Sequence, residues 1–230
     1  DFIWAPGQIV WDDPDSLERE GATSEMIEAL VRRLDRVDEE LLIESAYFVM
    51  RGPGVEKLAG LVDNGVRVRV LTNSLASNDV LAAHAGYAER RDDLLAGGVE
   101  LHELRPYPGP VQKEIVAGTS KAALHTKAIV FDRKDVFIGS LNLDPRSLAI
   151  NTEAGLYVES PELAQQVIAY MDEGVTPENS YRVLLDEDGD LYWITEVDSQ
   201  EVRYSKDPES TGMQRFTSGF IEILPVEGQL

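Results

Sequence analysis

Apolar and polar positions follow two periods along this chain, and the switches between them mark its elements. After an extended apolar lead-in, "DFIWAPGQIVWDDP", Met26, Ile27, Leu30, Leu34 and Val37 recur at helical spacing, with Ser24 placed to cap that helix. The run "LLIESAYFV" (Leu41 to Val49) reads as a strand. "GPGVEKLAGLVDNG" reads as a helix begun at Pro and ended by Gly65. "VRVRVLTN" alternates strictly and predicts a strand; "DVLAAHAGYAERRDDLLAGG" predicts one helix with a Gly stop, and "VELHEL" another strand. Strand–helix–strand–helix–strand is the order of a parallel α/β layer.

A Pro- and Gly-rich loop is expected from Arg105 to about Lys121. Two apolar runs follow, "HTKAIVF" and "VFIGSLN", then a strand "AGLYVES" and a helix from Pro161 to about Glu173. "YRVLLDEDGDLYWITEV" predicts a hairpin turning at Asp188–Gly189, and Met213 to Leu224 a final helix. No internal repeat is visible. The fold class expected is α/β: a mixed, largely parallel sheet flanked by helices over 1–180, with a hairpin and helix extension over 181–230 packed on it.

Composition narrows the chemistry. With no cysteine, the 230-residue chain has no disulfide framework, thiolate nucleophile or Cys-based metal site. Its three histidines lie far apart in sequence, which argues against a zinc site. A net charge of −21, from 42 acidic against 21 basic residues, argues against a non-specific nucleic-acid surface, which needs Lys and Arg to displace counterions. The same charge argues against docking on an anionic membrane through this part alone, and it reads equally as a solubility feature.

The "HTKAIVF"–"VFIGSLN" pair carries too many polar groups for a buried hairpin. If Arg133–Lys134 is a two-residue loop, Asp132 faces Asp135, Phe131 faces Val136, Lys127 faces Ser140 and His125 faces Asn142. Alternation and cross-strand pairing then gather His125, Lys127, Ser140 and Asn142 on one face at the open end, with Asp132 on the other face at the turn. A one-residue slip destroys that arrangement. Such a cluster suits phosphate chemistry without a metal or other cofactor. A neutral imidazole attacks phosphorus or hands a proton to a leaving oxygen, and an ammonium and an amide hold the non-bridging oxygens. Glu153 is placed to orient the imidazole as the third member of a triad does.

These residues fit H-x-K-x4-D-x6-G-S-x-N, the HKD pattern of the phospholipase D superfamily: His125, Lys127, Asp132, Gly139, Ser140 and Asn142 all match. An isolated H-x-K arises often by chance; six fixed positions on a strand–turn–strand reading do not. "LTNSLASNDV", "DPRSLAINTE" and "ILPVEGQL" further resemble the C-terminal half of bacterial cardiolipin synthases of the C type. The resemblance implies a phosphatidyltransferase making cardiolipin through a phosphohistidine. Lys127 and Asn142 hold the phosphate, Ser140 bonds nearby, and Asp132 and Gly139 are structural. It also implies a bacterial protein peripheral at the membrane, this chain itself being soluble.

Superfamily sites need two HKD motifs, and this chain has one. Neither His84 nor His102 has Lys two residues later, and both read as structural. The start at Asp1 and the matched half lead us to expect a preceding N-terminal half, or a homodimer mate related by a two-fold axis. With the first-half histidine as nucleophile, His125 becomes the general acid. Asn73 and Ser74 follow a strand end, where α/β sheets place ligands, and read equally as substrate loop or plain turn. Arg146 reads as a phosphate ligand or as a partner of an acid such as Asp144. Trp4, Trp11 and Trp193 read as packing residues. Two other readings stay open: a phospholipid or phosphodiester hydrolase, and an inactive single-motif scaffold.

Overall fold

The computed structural model describes residues 2–14, 24–107 and 121–222. Most of the expected loop 105–121, together with Leu224 and the rest of "ILPVEGQL", lies outside the described residues.

One ten-stranded sheet organises the molecule. Its strands are β1 (Gly7–Trp11), β2 (Glu40–Ser45), β3 (Arg67–Asn73), β4 (Glu100–Leu104), β5 (Lys127–Phe131), β6 (Asp135–Gly139), β7 (Ala154–Glu159), β8 (Ser180–Leu185), β9 (Leu191–Val197) and β10 (Gln200–Tyr204). Their spatial order is β1-β7-β6-β5-β2-β3-β4-β8-β9-β10. The mixed α/β sheet flanked by helices is as expected, but its balance is not. Only β2–β3 and β3–β4 run parallel, and every other neighbouring pair is antiparallel. Hairpins need no crossover helix, so each short connection after Leu124 adds an antiparallel strand.

The helices are α1 (Glu25–Leu34), α2 (Gly52–Asp63), α3 (Leu81–Ala88), α4 (Arg91–Ala96), α5 (Pro145–Ala149), α6 (Pro161–Gly174) and α7 (Gly212–Glu222). Ser24 caps α1 as predicted, its Oγ accepting from the Ile27 N–H at 3.0 Å. The single helix expected over 79–98 is two, broken at Glu89–Arg90. There the buried Arg91 turns inward to Glu103 and Asp207, both at 3.0 Å. The hairpin at Asp188–Gly189 forms, with Gly189 at φ 85°. The strand β10 went unrecognised in the sequence because "QEVRY" is short and half-exposed.

α1 to α4 bury one sheet face through Met26, Leu30, Leu58, Tyr87 and Leu94 against Leu41, Ile43, Val68 and Val70. α6 covers part of the other face, where Ala164, Ile168 and Met171 meet Leu42, Ala128, Val130 and Val136. The two layers explain why β2, buried at every position, reads as a largely continuous apolar run. Beyond α6, no helix among the described residues covers the β1–β7–β6 part of the second face. Ile9, Leu156 and Ile138 are register partners across β1, β7 and β6, and all three are exposed. Trp11, expected to pack, is exposed with them, and Trp4 is almost fully exposed; Trp193 is buried. No helix among the described residues is long and apolar enough to cross a membrane.

Candidate active site

The C-terminal ends of β2 and β3 lie at the sheet edge that also carries the start of β5, the end of β6 and the start of β7. In open α/β sheets that edge is where ligands bind. Every residue of the expected cluster falls there, but not by the expected register. Phe131 pairs with Asp135 and Ala128 with Ile138, so the loop has three residues, Asp132 to Lys134. The Lys134 N–H donates to the Phe131 carbonyl at 3.0 Å across Asp132 and Arg133, both at positive φ (49° and 57°). Asp132 is pulled out of the ladder because its carboxylate receives the backbone N–H groups of Asp38 (3.1 Å), Glu39 (2.8 Å) and Glu40 (3.0 Å). Asp tolerates the left-handed turn this requires. Lys127 therefore lies level with Gly139 rather than Ser140. The ladder ends there, so Ser140 and Asn142 reach the edge as irregular chain and not as strand positions facing Lys127 and His125.

Gly139 and Gly155 are register partners, and the Phe137 ring lies over both. A Cβ on Gly139 would come within 2.5 Å of the Ala154 carbonyl and 2.8 Å of Phe137 Cζ. The motif glycine is thus required by close approach of β6 to β7.

His125 is exposed, and its ring makes no hydrogen bond among the described residues. Lys127, the first residue of β5, lies two residues on, and its Nζ donates to the His125 carbonyl at 2.9 Å. Partial burial lowers the Lys127 pKa, against the opposing pull of the carboxylates of Glu153, Asp144 and Asp79. The Asn142 amide oxygen is buried without a hydrogen-bond partner, which marks it as a group awaiting one. At the opposite end of the hairpin, burial raises the Asp132 carboxyl, but the three backbone N–H groups and Lys134 outweigh it and leave the pKa below its ordinary value.

Glu153 is buried, and its carboxylate accepts from Ser140 Oγ at 2.5 Å and from Asn151 Nδ2 at 3.4 Å. The expected Glu153–His125 hydrogen bond is not formed. The backbone of Glu153 is strapped to Asp12, through Asp12 N–H to the Glu153 carbonyl (2.9 Å) and Glu153 N–H to Asp12 Oδ2 (3.1 Å). That strap holds the start of β7 and aims the carboxylate at Ser140.

Asn73 and Ser74 do not face the open edge. Both are fully buried; the Asn73 amide bonds the backbone of Ala46 and Leu124, and Ser74 Oγ bonds Ser77. The Asp144 carboxylate caps α5 through Arg146 N–H (2.9 Å) and Ser147 N–H (3.1 Å), and of the two readings of Arg146 the ion pair with Asp144 does not form among the described residues. The Arg146 side chain is exposed at the same edge. His84 is buried beside Asp207, Nε2 to Oδ1 at 3.5 Å. His102 lies within β4 near Ser180 (3.4 Å), its pKa pushed down to about 4, chiefly by burial and then by Arg69 and Arg182.

Two residues at the edge were not singled out from the sequence. Tyr47 OH donates to Asp79 Oδ1 at 2.9 Å, and burial together with that carboxylate raises the tyrosine pKa to about 12. Both follow the ends of parallel strands, the one signal that would have found them.

A family model described as "Cardiolipin synthase, PLD-like domain" matches residues 30–174. Cardiolipin synthase C of Escherichia coli (strain K12) is 37% identical over 98% of this chain and 48% of its own length. Cardiolipin synthase A of Klebsiella pneumoniae is 25% identical over 65% of this chain and 27% of its own length. The chain thus spans less than half the length of these relatives. Among solved structures, the phospholipase D family member Nuc from Salmonella typhimurium matches 74% of this chain and 93% of its own, with a TM-score of 0.52 and 17% identity. Phosphatidylserine synthase from Haemophilus influenzae Rd KW20 matches 76% of this chain and 39% of its own, with a TM-score of 0.55 and 17% identity. At those identities the likeness is one of fold.

Proposed function

This chain belongs to the family of cardiolipin synthase PLD-like domains, and from that premise we propose that it is the C-terminal catalytic half of a bacterial phosphatidyltransferase that joins phospholipids into cardiolipin. The observation that carries this reading is the sheet edge itself: an exposed imidazole at His125 with the Lys127 ammonium beside it.

In the reaction a nucleophilic imidazole attacks phosphorus, forming a P–N bond as the P–O bond to the first alcohol breaks. A second imidazole gives that departing oxygen its proton. The acceptor alcohol then loses its proton to the same imidazole and attacks phosphorus, and the P–N bond breaks. His125 is the acid and base of this cycle. The Lys127 ammonium and the Nδ2 hydrogens of the Asn142 amide donate to the non-bridging oxygens, where charge accumulates. Ser140 and Glu153 brace the edge, and the exposed Arg146 meets the approaching headgroup. The nucleophile comes from an N-terminal half of the same polypeptide, or from a second copy of this chain. Residues 1–180 form the catalytic half and 181–230 an extension upon it; the complete protein works peripherally at the membrane.

The test incubates the full-length product and the 230-residue chain separately with phosphatidylglycerol, with and without phosphatidylethanolamine. Cardiolipin from the long form alone supports the proposal. Phosphatidic acid without cardiolipin overturns the transferase reading in favour of a hydrolase. Activity from the short chain alone replaces the missing half by a symmetric dimer.

A further inference from the structure

We infer that Asn73 is a positioning residue for His125, which it serves by fixing the peptide immediately before it; this rests on the phosphoryl-transfer reading above. The regular pairing of β5 ends at Lys127, opposite Ser45. Leu124 lies three residues outside that ladder, and it is buried. Its N–H and C=O would there be orphaned, a costly state for buried backbone. The Asn73 side chain meets both: Oδ1 accepts from the Leu124 N–H at 2.7 Å, and Nδ2 donates to the Leu124 carbonyl at 3.0 Å. One planar amide thus pairs with a peptide as a neighbouring strand would.

The remaining valences of the amide are also taken. The second Nδ2 hydrogen goes to the Ala46 carbonyl at 3.0 Å, and Ser77 Oγ donates to Oδ1 at 3.2 Å. Two donors and two acceptor sites are all that an Asn amide has, so none is left for a substrate. The clamp joins the end of β3, the chain just past β2 and the residue before His125. The peptide that carries the imidazole is therefore tied to the ends of the parallel strands. Only an amide fits here. An Asp at this position keeps the acceptor but turns an oxygen toward two carbonyls.

The test compares Asn73→Asp and the milder Asn73→Ser with the unaltered protein. In the 230-residue chain, amide exchange at Leu124 and the NMR titration of the His125 imidazole are followed. In the full-length protein, kcat and KM for phosphatidyl transfer are measured. We expect Leu124 exchange at least about tenfold faster, a displaced His125 titration, and kcat lower by about 10- to 100-fold with KM within about twofold. A merely structural Asn73 would lower the melting temperature and leave kcat per folded molecule and the His125 titration unmoved; that result overturns the inference. Should Asn73→Asp fail to fold, Asn73→Ser and Ser77→Ala decide it by the same readouts. If the unaltered protein transfers no lipid, the functional reading fails, while exchange and titration still judge the clamp.

Discussion

At its closed end, the β5–β6 hairpin presents Asp132, whose carboxylate accepts three backbone N–H groups while its own N–H donates to the Glu40 carbonyl at 2.8 Å. At its open end, among the described residues, His125 has no hydrogen bond on its ring and Asn142 has an amide oxygen without a partner. Both ends are polar and both belong to one sequence motif, yet one is saturated and the other open. Saturated polar groups hold a fold together. Open ones, kept beside a lysine whose pKa is already perturbed, are what a site offers a ligand. The difference predicts that substitutions at the two ends separate activity from stability.

The largest effect belongs to the open end. His125→Ala should lower phosphatidyl transfer by about 10³-fold or more, since in the proposed cycle both half-reactions pass a proton through this ring. Its unfolding free energy, read from urea titration, should stay within about 0.5 kcal/mol of the unaltered chain, as expected for an exposed side chain with no hydrogen bond among the described residues. Full activity in this variant removes the site assignment.

Lys127→Met follows, with a fall in kcat/KM of about 10²- to 10³-fold from the loss of one preorganised cation. Because the Lys127 pKa lies below that of a free lysine, its charge is lost earlier as pH rises. The alkaline limb of the pH–rate profile should therefore begin below about 10.4, the ordinary lysine value. Lys127→Arg stays charged throughout and should flatten that limb; an unchanged limb would show that it belongs to another group.

At the closed end the order reverses. Asp132→Ala should cost about 2 kcal/mol of stability, from three lost charge-assisted bonds on a partly exposed group, read as a lower urea midpoint. Transfer per folded molecule should change less than about twofold. The sign of the pH dependence follows from a folded-state pKa that is depressed. The stabilisation is complete above the unfolded value of about 3.9 and is lost as pH falls through the folded value. The variant and parent midpoints should thus converge in acid. A large loss of kcat here would erase the distinction between the ends.

The sequence reached the site better than its geometry. Six motif positions identified the hairpin, and periodicity located α1, α2, α6 and the β2–β4 layer. Two kinds of information lay out of reach. One is long-range backbone pairing: nothing local to "DRKD" says that Asp132 will be claimed by the N–H groups of Asp38 to Glu40, and that claim shifts the register by one residue. The other is burial. Asn73 follows a strand end as a substrate ligand does, and only its packing shows that the amide is consumed by Leu124 and Ala46. The antiparallel majority of the sheet was missed for the first reason, since strand periodicity does not encode direction.

The smallest effect expected is the one that best tests where Glu153 acts. As the orienting member of a triad, its substitution by Gln would cost about 10³-fold or more in kcat, as loss of a triad carboxylate does. Its actual partners are Ser140 Oγ at 2.5 Å and Asn151, with Lys127 within electrostatic reach. Glu153→Gln keeps an acceptor for Ser140 and removes only the charge. Since that charge raises the lysine pKa, its loss should move the alkaline limb further toward neutral pH. The plateau of kcat should fall no more than about threefold. A pH–rate profile separates the two cases: a displaced limb on a preserved plateau places Glu153 behind Lys127, whereas a collapsed plateau places it behind His125.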